Sequence, residues 1–400
     1  MDNLAQFAAA RVSTSETADG ALVIESPVPL GDYENHLGEM LRRWAKAAPE
    51  RVFLAERAAD GDWRRLDYAH TAAQANRISQ ALLDRGLSAD KPAMILSGNS
   101  IDHALLALGA MQVGIPIVPV SPSYSLMSED YGKLNALFEL CRPGLIYAAQ
   151  GELFARALTQ LPLETTELVV SERPPADMPV TDFAELLETT VTPAVDEAFA
   201  AVAPESTAKI LFTSGSTGDP RGAWFTDRQL AAIHQLDTGG AWGSGGHMVS
   251  GTAFAHVGVM TKIGWQLASG ATIHVMDRWT ASGLLDLVER YRLPTVNGVA
   301  AQIALLMQEP DFERRDLSCV GSIVVGAGPS PPALVVEART RFDAPYLIRY
   351  SSTESGGVGL GTAPDADDAE ALHTVGRPRP GVAAEVRGPD GPNLPAGEVE

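Results

Sequence analysis

Lys209-Ile210-Leu211-Phe212-Thr213-Ser214-Gly215-Ser216-Thr217-Gly218-Asp219-Pro220-Arg221-Gly222-Ala223-Trp224-Phe225-Thr226 is an apolar run, a polar loop and a second apolar run. The hydroxyls of Thr213, Ser214, Ser216 and Thr217 are donors suited to phosphate oxygens. Gly215 and Gly218 admit positive φ and close backbone approach, so successive N–H groups can turn toward one anion. Arg221 places a permanent cation at the far end. The spacing and ending differ from the G-x-x-x-x-G-K-[ST] loop. Four hydroxyls, two glycines and a base between two strands read as an anion-binding turn rather than a plain flexible connection.

Outward from this loop, strand and helix patterns alternate. Toward the N-terminus, Leu37, Met40, Leu41 and Trp44 recur at helical spacing. Residues 52–55 and 63–68 read as strands around an Asp60-Gly61 turn, and a helix over 70–85 stops at Gly86. Strands are expected at 93–96, 117–120, 145–148 and 167–170, with a helix over 101–113. Toward the C-terminus, strands at 272–275 and 323–325 alternate with helices at 227–235, 284–291 and 333–341. This order predicts βαβ units and mainly parallel sheets. Residues 181–206, rich in Ala, Pro, Thr and acid and free of bases, read as a solvated connection. Pro389-Asp390-Gly391 reads as a turn and Gly397-Glu398-Val399-Glu400 as an opening strand, so the fold is expected to continue past residue 400.

Composition narrows the class. The 400 residues carry 30 Lys+Arg against 50 Asp+Glu, a net charge of −20, which argues against nucleic-acid binding. No run approaches the ~20 apolar residues needed to span a bilayer, and Met1-Asp2-Asn3-Leu4 lacks a signal-peptide pattern. Cys141 and Cys319 are the only thiols and sit in no Cys/His cluster, which disfavours disulfides and structural zinc and fits a cytoplasmic protein. Five of the bases are Lys (Lys46, Lys91, Lys133, Lys209 and Lys262) and the other 25 are Arg.

Thr213–Gly222 resembles the phosphate loop of the AMP-forming adenylating enzymes: acyl- and aryl-CoA ligases, luciferases and nonribosomal adenylation domains. Further segments resemble that family in its order. Ala255-His256-Val257-Gly258 is similar to its apolar-His element, and Gly326-Ala327-Gly328-Pro329 to the segment beside adenine. Tyr350-Ser351-Ser352-Thr353-Glu354 resembles its Tyr-Gly-x-Thr-Glu motif, followed by Val375-Gly376-Arg377-Pro378. The resemblance covers residues 35–400. Residues 29–150, with Pro92-Ala93-Met94-Ile95-Leu96-Ser97-Gly98-Asn99-Ser100, look most like feruloyl-CoA synthases.

The resemblance implies an α/β fold: the large N-terminal domain of an adenylating enzyme, with stacked, mostly parallel sheets flanked by helices and a smaller β portion. Residues 1–30 are then an extension, 31–190 a first subdomain, 205–344 a second bearing the loop, and 345–400 the start of the β portion. The small C-terminal domain, with its catalytic lysine, is expected beyond residue 400, so residues 1–400 alone are expected to adenylate poorly.

It also implies residue roles. ATP binding falls to Thr213, Ser214, Gly215, Ser216, Thr217, Gly218, Arg221, Gly326, Ala327, Gly328, Tyr350, Ser351, Ser352, Thr353 and Glu354, with Tyr350 stacked on adenine. Catalytic roles fall to His256, Thr353, Glu354 and Arg221, and Mg²⁺ to Glu354. The acid pocket is implied at His256, Val257, Lys262, Gly326, Ser351 and Gly357. Lys262, six residues after His256, is a candidate to meet an anionic group of the substrate or to snorkel to water. Arg221 stands where lysine is commoner and Ser351 replaces a glycine, which alters the geometry at both places.

The implied reaction is ATP- and Mg²⁺-dependent adenylation of a hydroxycinnamate-like aryl acid, followed by transfer to CoA. A diazotase that adenylates nitrite to diazotise an aminoaryl acid is an alternative, and a nucleotide-binding module without catalysis is a second. Neither nucleic acid nor membrane is an expected partner; the missing C-terminal domain of the same chain is.

Overall fold

The computed structural model describes residues 11–18, 21–57, 61–213, 221–238, 245–385 and 387, with backbone only at 236–238 and 260–262. Its strands, in chain order, are β1 (Ser13–Glu16), β2 (Leu22–Glu25), β3 (Val52–Arg57), β4 (Trp63–Asp67), β5 (Ala93–Leu96), β6 (Ile117–Pro119), β7 (Leu145–Gln150), β8 (Glu167–Glu172), β9 (Thr181–Asp182) and β10 (Thr207–Thr213). They continue with β11 (Arg221–Thr226), β12 (His247–Ser250), β13 (Thr272–Val275), β14 (Thr295–Gly298), β15 (Ser322–Val325), β16 (Tyr346–Tyr350), β17 (Leu360–Gly361), β18 (Arg377–Pro378) and β19 (Ala383–Glu385).

Two compact units form from interleaved segments. The larger takes Glu34–Ala231 and Ser244–Trp279; the smaller takes Met1–Tyr33, Ala232–Gly243 and Thr280–Glu400. In the larger, one sheet runs β11-β10-β6-β5-β7-β8-β9 and another β12-β13-β3-β4. The first is parallel except for the edge pair β10–β11. Its central strand β5 is apolar and buried at all four positions, the pattern of a parallel strand covered on both faces.

The helices Leu37–Ala47 and Tyr68–Asp84 match their apolar spacing. Gly86, at φ 70°, follows the second as expected of a helix-ending glycine. Fully buried Tyr68 stacks on Phe53 at 4.6 Å and donates to the Ala271 carbonyl at 2.9 Å, so its one polar atom is satisfied inside the core.

In the smaller unit, β14-β15-β16 are parallel and β17 and β18 extend the same sheet antiparallel. The N-terminal extension is itself structured: β1 and β2 pair antiparallel, and β19 adds to β2.

Two expectations differ from this architecture. Residues 181–206 are more than a solvated connection. They hold β9 and the helices Phe183–Leu187 and Ala194–Ala201, anchored by buried Phe183, Leu186 and Val195. The linear division at 190–205 does not coincide with the units, because β10 joins β6 and β13 joins β3, strands far earlier in the chain. The turn at 389–391 and the strand at 397–400 lie outside the described residues.

Candidate nucleotide site

In the larger unit, Thr213 and Arg221 are the last registered pair of β10 and β11, and Thr213 Oγ1 donates to the Arg221 carbonyl at 3.5 Å. The strand–loop–strand order read from the sequence therefore holds on both flanks, with Arg221 exposed. Ser214, Gly215, Ser216, Thr217 and Gly218 lie outside the described residues.

His256, exposed, is the N-cap of the helix Val257–Ser269. Its Nδ1 accepts from the Gly258 N–H at 3.0 Å, which fixes the Nε2–H tautomer. Val257 turns into the apolar core. Lys262 lies on this helix, and its side chain is outside the described residues.

In the smaller unit, three parallel strands end side by side, and the predicted residues sit at those ends. Gly326-Ala327-Gly328 follows β15; Tyr350 closes β16 and Ser351–Glu354 follows it. The Gly326 N–H donates to the Gly298 carbonyl at 3.3 Å, tying the end of β15 to the end of β14. A Cβ on Gly326 would stand 3.3 Å from the Arg349 carbonyl, so glycine lets the β15 and β16 ends approach closely. Carboxyl ends of adjacent parallel strands are where α/β sheets form ligand crevices.

Ala327 holds φ 65°, a left-handed conformation unfavourable for a residue with a Cβ. Such outliers persist where surrounding structure imposes them, commonly at ligand sites. Tyr350 is 59% exposed, so it is not a core aromatic, and it stands open at the strand end.

Beyond it the chain folds into a tight turn. Ser352 and Ser355 exchange N–H to Oγ bonds, each 3.1 Å. The Gly356 N–H donates to the Thr353 carbonyl at 2.9 Å and the Gly357 N–H to the Ser352 carbonyl at 3.1 Å. Positive φ at Gly356 (68°) and Gly357 (80°) makes this turn possible and leaves Glu354 exposed at its tip.

Two participants were not singled out from sequence. Ser355 completes the serine exchange; its signal was the S-x-x-S spacing Ser352–Ser355. Arg349 is half-buried, and its Nη1 donates to the Ile348 and Thr362 carbonyls at 3.3 and 3.4 Å. Burial pulls its guanidinium down to about 10, so it remains a cation at neutral pH.

The residues present suit a magnesium nucleotide. Mg²⁺ is commonly held by one or two carboxylates, with phosphate oxygens and waters completing the octahedron. Among the described residues no group of three or more His, Cys, Asp or Glu could hold a metal by itself. Glu354 and Thr353 offer one carboxylate and one hydroxyl at the turn, a donor set that fits an ion arriving with its phosphates.

One α/β unit carries the strand flanks of the hydroxyl-rich segment, and the other carries an exposed aromatic at its strand ends. The chain belongs to the AMP-binding enzyme family, whose model matches residues 41–399. It is 25% identical over 348 residues to the fatty acid–[acyl-carrier-protein] ligase ScoC of Streptomyces coeruleorubidus, covering 84% of this chain and 63% of that protein. It is also 25% identical to the indoleacetate–CoA ligase of Aromatoleum aromaticum (strain DSM 19018 / LMG 30748 / EbN1), over 84% of this chain and 64% of that one. The chain thus spans a little under two thirds of the length of these relatives. The fold matches the crystal structure of the anthranilate CoA ligase AuaEII in complex with anthranoyl-AMP, with TM-score 0.77, 17% identity, and coverage of 92% of this chain and 69% of that one.

Proposed function

We propose that this chain is the nucleotide-binding portion of an enzyme that adenylates an aromatic, hydroxycinnamate-like carboxylic acid with Mg·ATP and passes the acyl group to CoA. The observation that carries the reading is the end of β16. An exposed Tyr350 is followed directly by a serine-locked turn that presents Thr353 and Glu354, beside an Ala327 held left-handed. Tyr350 stacks the adenine, Thr353 donates to the α-phosphate, and Glu354 holds the ion. The acid's carboxylate then attacks the α-phosphate in line, releasing pyrophosphate, while fixed donors take up the developing charge. Family membership and the aryl acid in the name of one relative support the class of acid.

The test is acid-dependent exchange of labelled pyrophosphate into ATP by the full-length protein, screened over hydroxycinnamates and other aryl acids. Exchange with an aryl acid alone is expected. Exchange that appears only with nitrite and an aminoaryl acid would assign the diazotase reading instead, and exchange with neither would remove adenylation.

A further inference from the structure

The larger unit encloses a chamber of about 50 Å³ that none of the candidate nucleotide- or acid-site residues lines. Its walls are apolar, among them Phe53, Leu108, Ile117 and Ile263, and four polar side chains enter the lining: Lys209, Gln266, His103 and Ser250. Lys209 is 7% exposed, and its Nζ donates to the Phe254 carbonyl at 3.2 Å. Among the described residues no carboxylate lies within ion-pair distance of it. Gln266 is 3% exposed, and its Nε2 is buried with no hydrogen-bond partner.

His103 adds no charge. Its Nδ1 lies 3.0 Å from the Gly98 carbonyl and so carries the proton, while burial pulls the ring down to about 3. Its Nε2 is an unprotonated acceptor. Burial also draws Lys209 down to about 8, which leaves it mostly an ammonium at neutral pH. The chamber therefore holds one positive charge and surplus donors in an apolar shell, an arrangement costly to leave uncompensated.

Its shape is braced. Asn99 Oδ1 accepts from the Phe254 N–H at 2.8 Å, and Asn99 Nδ2 donates to the Thr252 and Met276 carbonyls at 2.9 and 3.1 Å. The carbonyl facing Lys209 is thereby fixed.

We propose that this chamber binds a small monovalent oxyanion, a short carboxylate or nitrite, between the Lys209 ammonium and the Gln266 amide. A water needs roughly 10–15 Å³ of such space, so the volume accommodates about three to five heavy atoms. One cation calls for one negative charge, and two separate donors suit an ion with two oxygens. The apolar walls tolerate a methyl or hydrogen substituent but not a hydrated or divalent ion. Lys209 lies on β10, four residues before Thr213, yet the site stands independently of the adenylation reading.

The test is calorimetric titration of the whole chain with sodium formate, acetate and nitrite, with sulfate as the divalent comparison. Saturable binding of at least one monovalent ion is expected, with sulfate at least tenfold weaker. Lys209→Met nearly conserves volume and removes the buried charge, and should abolish binding while AMP binding persists. Should that variant fail to fold, Gln266→Met carries the test with an expected loss of about tenfold. No saturable binding up to tens of millimolar, sulfate binding as tightly as formate, or undiminished binding in the folded variants would overturn the assignment.

Discussion

Thr213 and Arg221 face each other as the final pair of the β10–β11 ladder. Opposed residues of an antiparallel pair stand roughly 4.5–5.5 Å apart at Cα. The exposed Arg221 is thereby held beside Thr213 at the end of the ladder.

Glu354→Gln removes the charge that would hold Mg²⁺ but retains a neutral oxygen. Nucleotide affinity measured with Mg²⁺ should fall about tenfold or more, while affinity in EDTA should change little, since the residue is exposed at the turn. Equal losses under both conditions would take the metal away from Glu354.

Ala327→Gly relieves a left-handed φ of 65°. The relief is about 1–2 kcal/mol, against about 0.4–1 kcal/mol of added unfolded-state entropy. Thermal unfolding should therefore show a variant as stable as the parent or slightly more so. Ala327→Val should destabilise it clearly, because a β-branched residue resists that conformation.

Asp227 is buried, its Oδ2 lacks a partner, and burial pushes its carboxyl up to about 8. The folded state thus holds a proton that the unfolded state has already released, so stability falls as pH rises between about 4 and 8 and levels off above that. Asp227→Asn should flatten this slope and be the more stable protein at pH 7, by about 2–4 kcal/mol. Denaturant titrations at pH 5, 7 and 9 (about one per limb of that curve) measure it; a parallel pH dependence in both proteins would show that Asp227 ionises freely in the fold.

Gly270 ends the helix Val257–Ser269 at φ 65°, and a Cβ there would meet Trp44 Cε2 at 2.5 Å. The Trp44 indole is fixed by donating to the Leu267 carbonyl at 2.6 Å. Gly270→Ala combines backbone strain with this clash and should cost about 2–4 kcal/mol in urea unfolding. A cost near zero would mean that Trp44 yields.

Much of this fold is legible because its parallel strands are short, wholly apolar and punctuated. The residues 93–96 and 145–148 announce buried strands, and Gly86 announces a helix end. The segment 181–206 is misread because its composition is polar while only three anchors, Phe183, Leu186 and Val195, carry the packing. The unit boundaries are hidden for another reason: β10 beside β6 and β13 beside β3 are long-range pairings, which periodicity does not encode. At the site, the convergence of 326–328 and 350–354 follows from their order after β15 and β16. The sequence assigns Lys209 no role inside its apolar strand, although a lysine between Ala208 and Ile210 in a lysine-poor chain is the signal of its burial.

Tyr350→Ala tests the central claim most directly, by calorimetric titration of Mg·ATP and of AMP into the chain and the variant. Stacking of a base on an aromatic ring contributes about 1–3 kcal/mol, so affinity should fall roughly 5- to 150-fold. Because Tyr350 is 59% exposed, the melting temperature should barely move. Saturable binding that weakens in this way without loss of stability is the predicted result. Absence of nucleotide binding by the folded chain at millimolar concentrations, or binding unchanged by the substitution, would contradict the assignment of these strand ends to an adenine nucleotide.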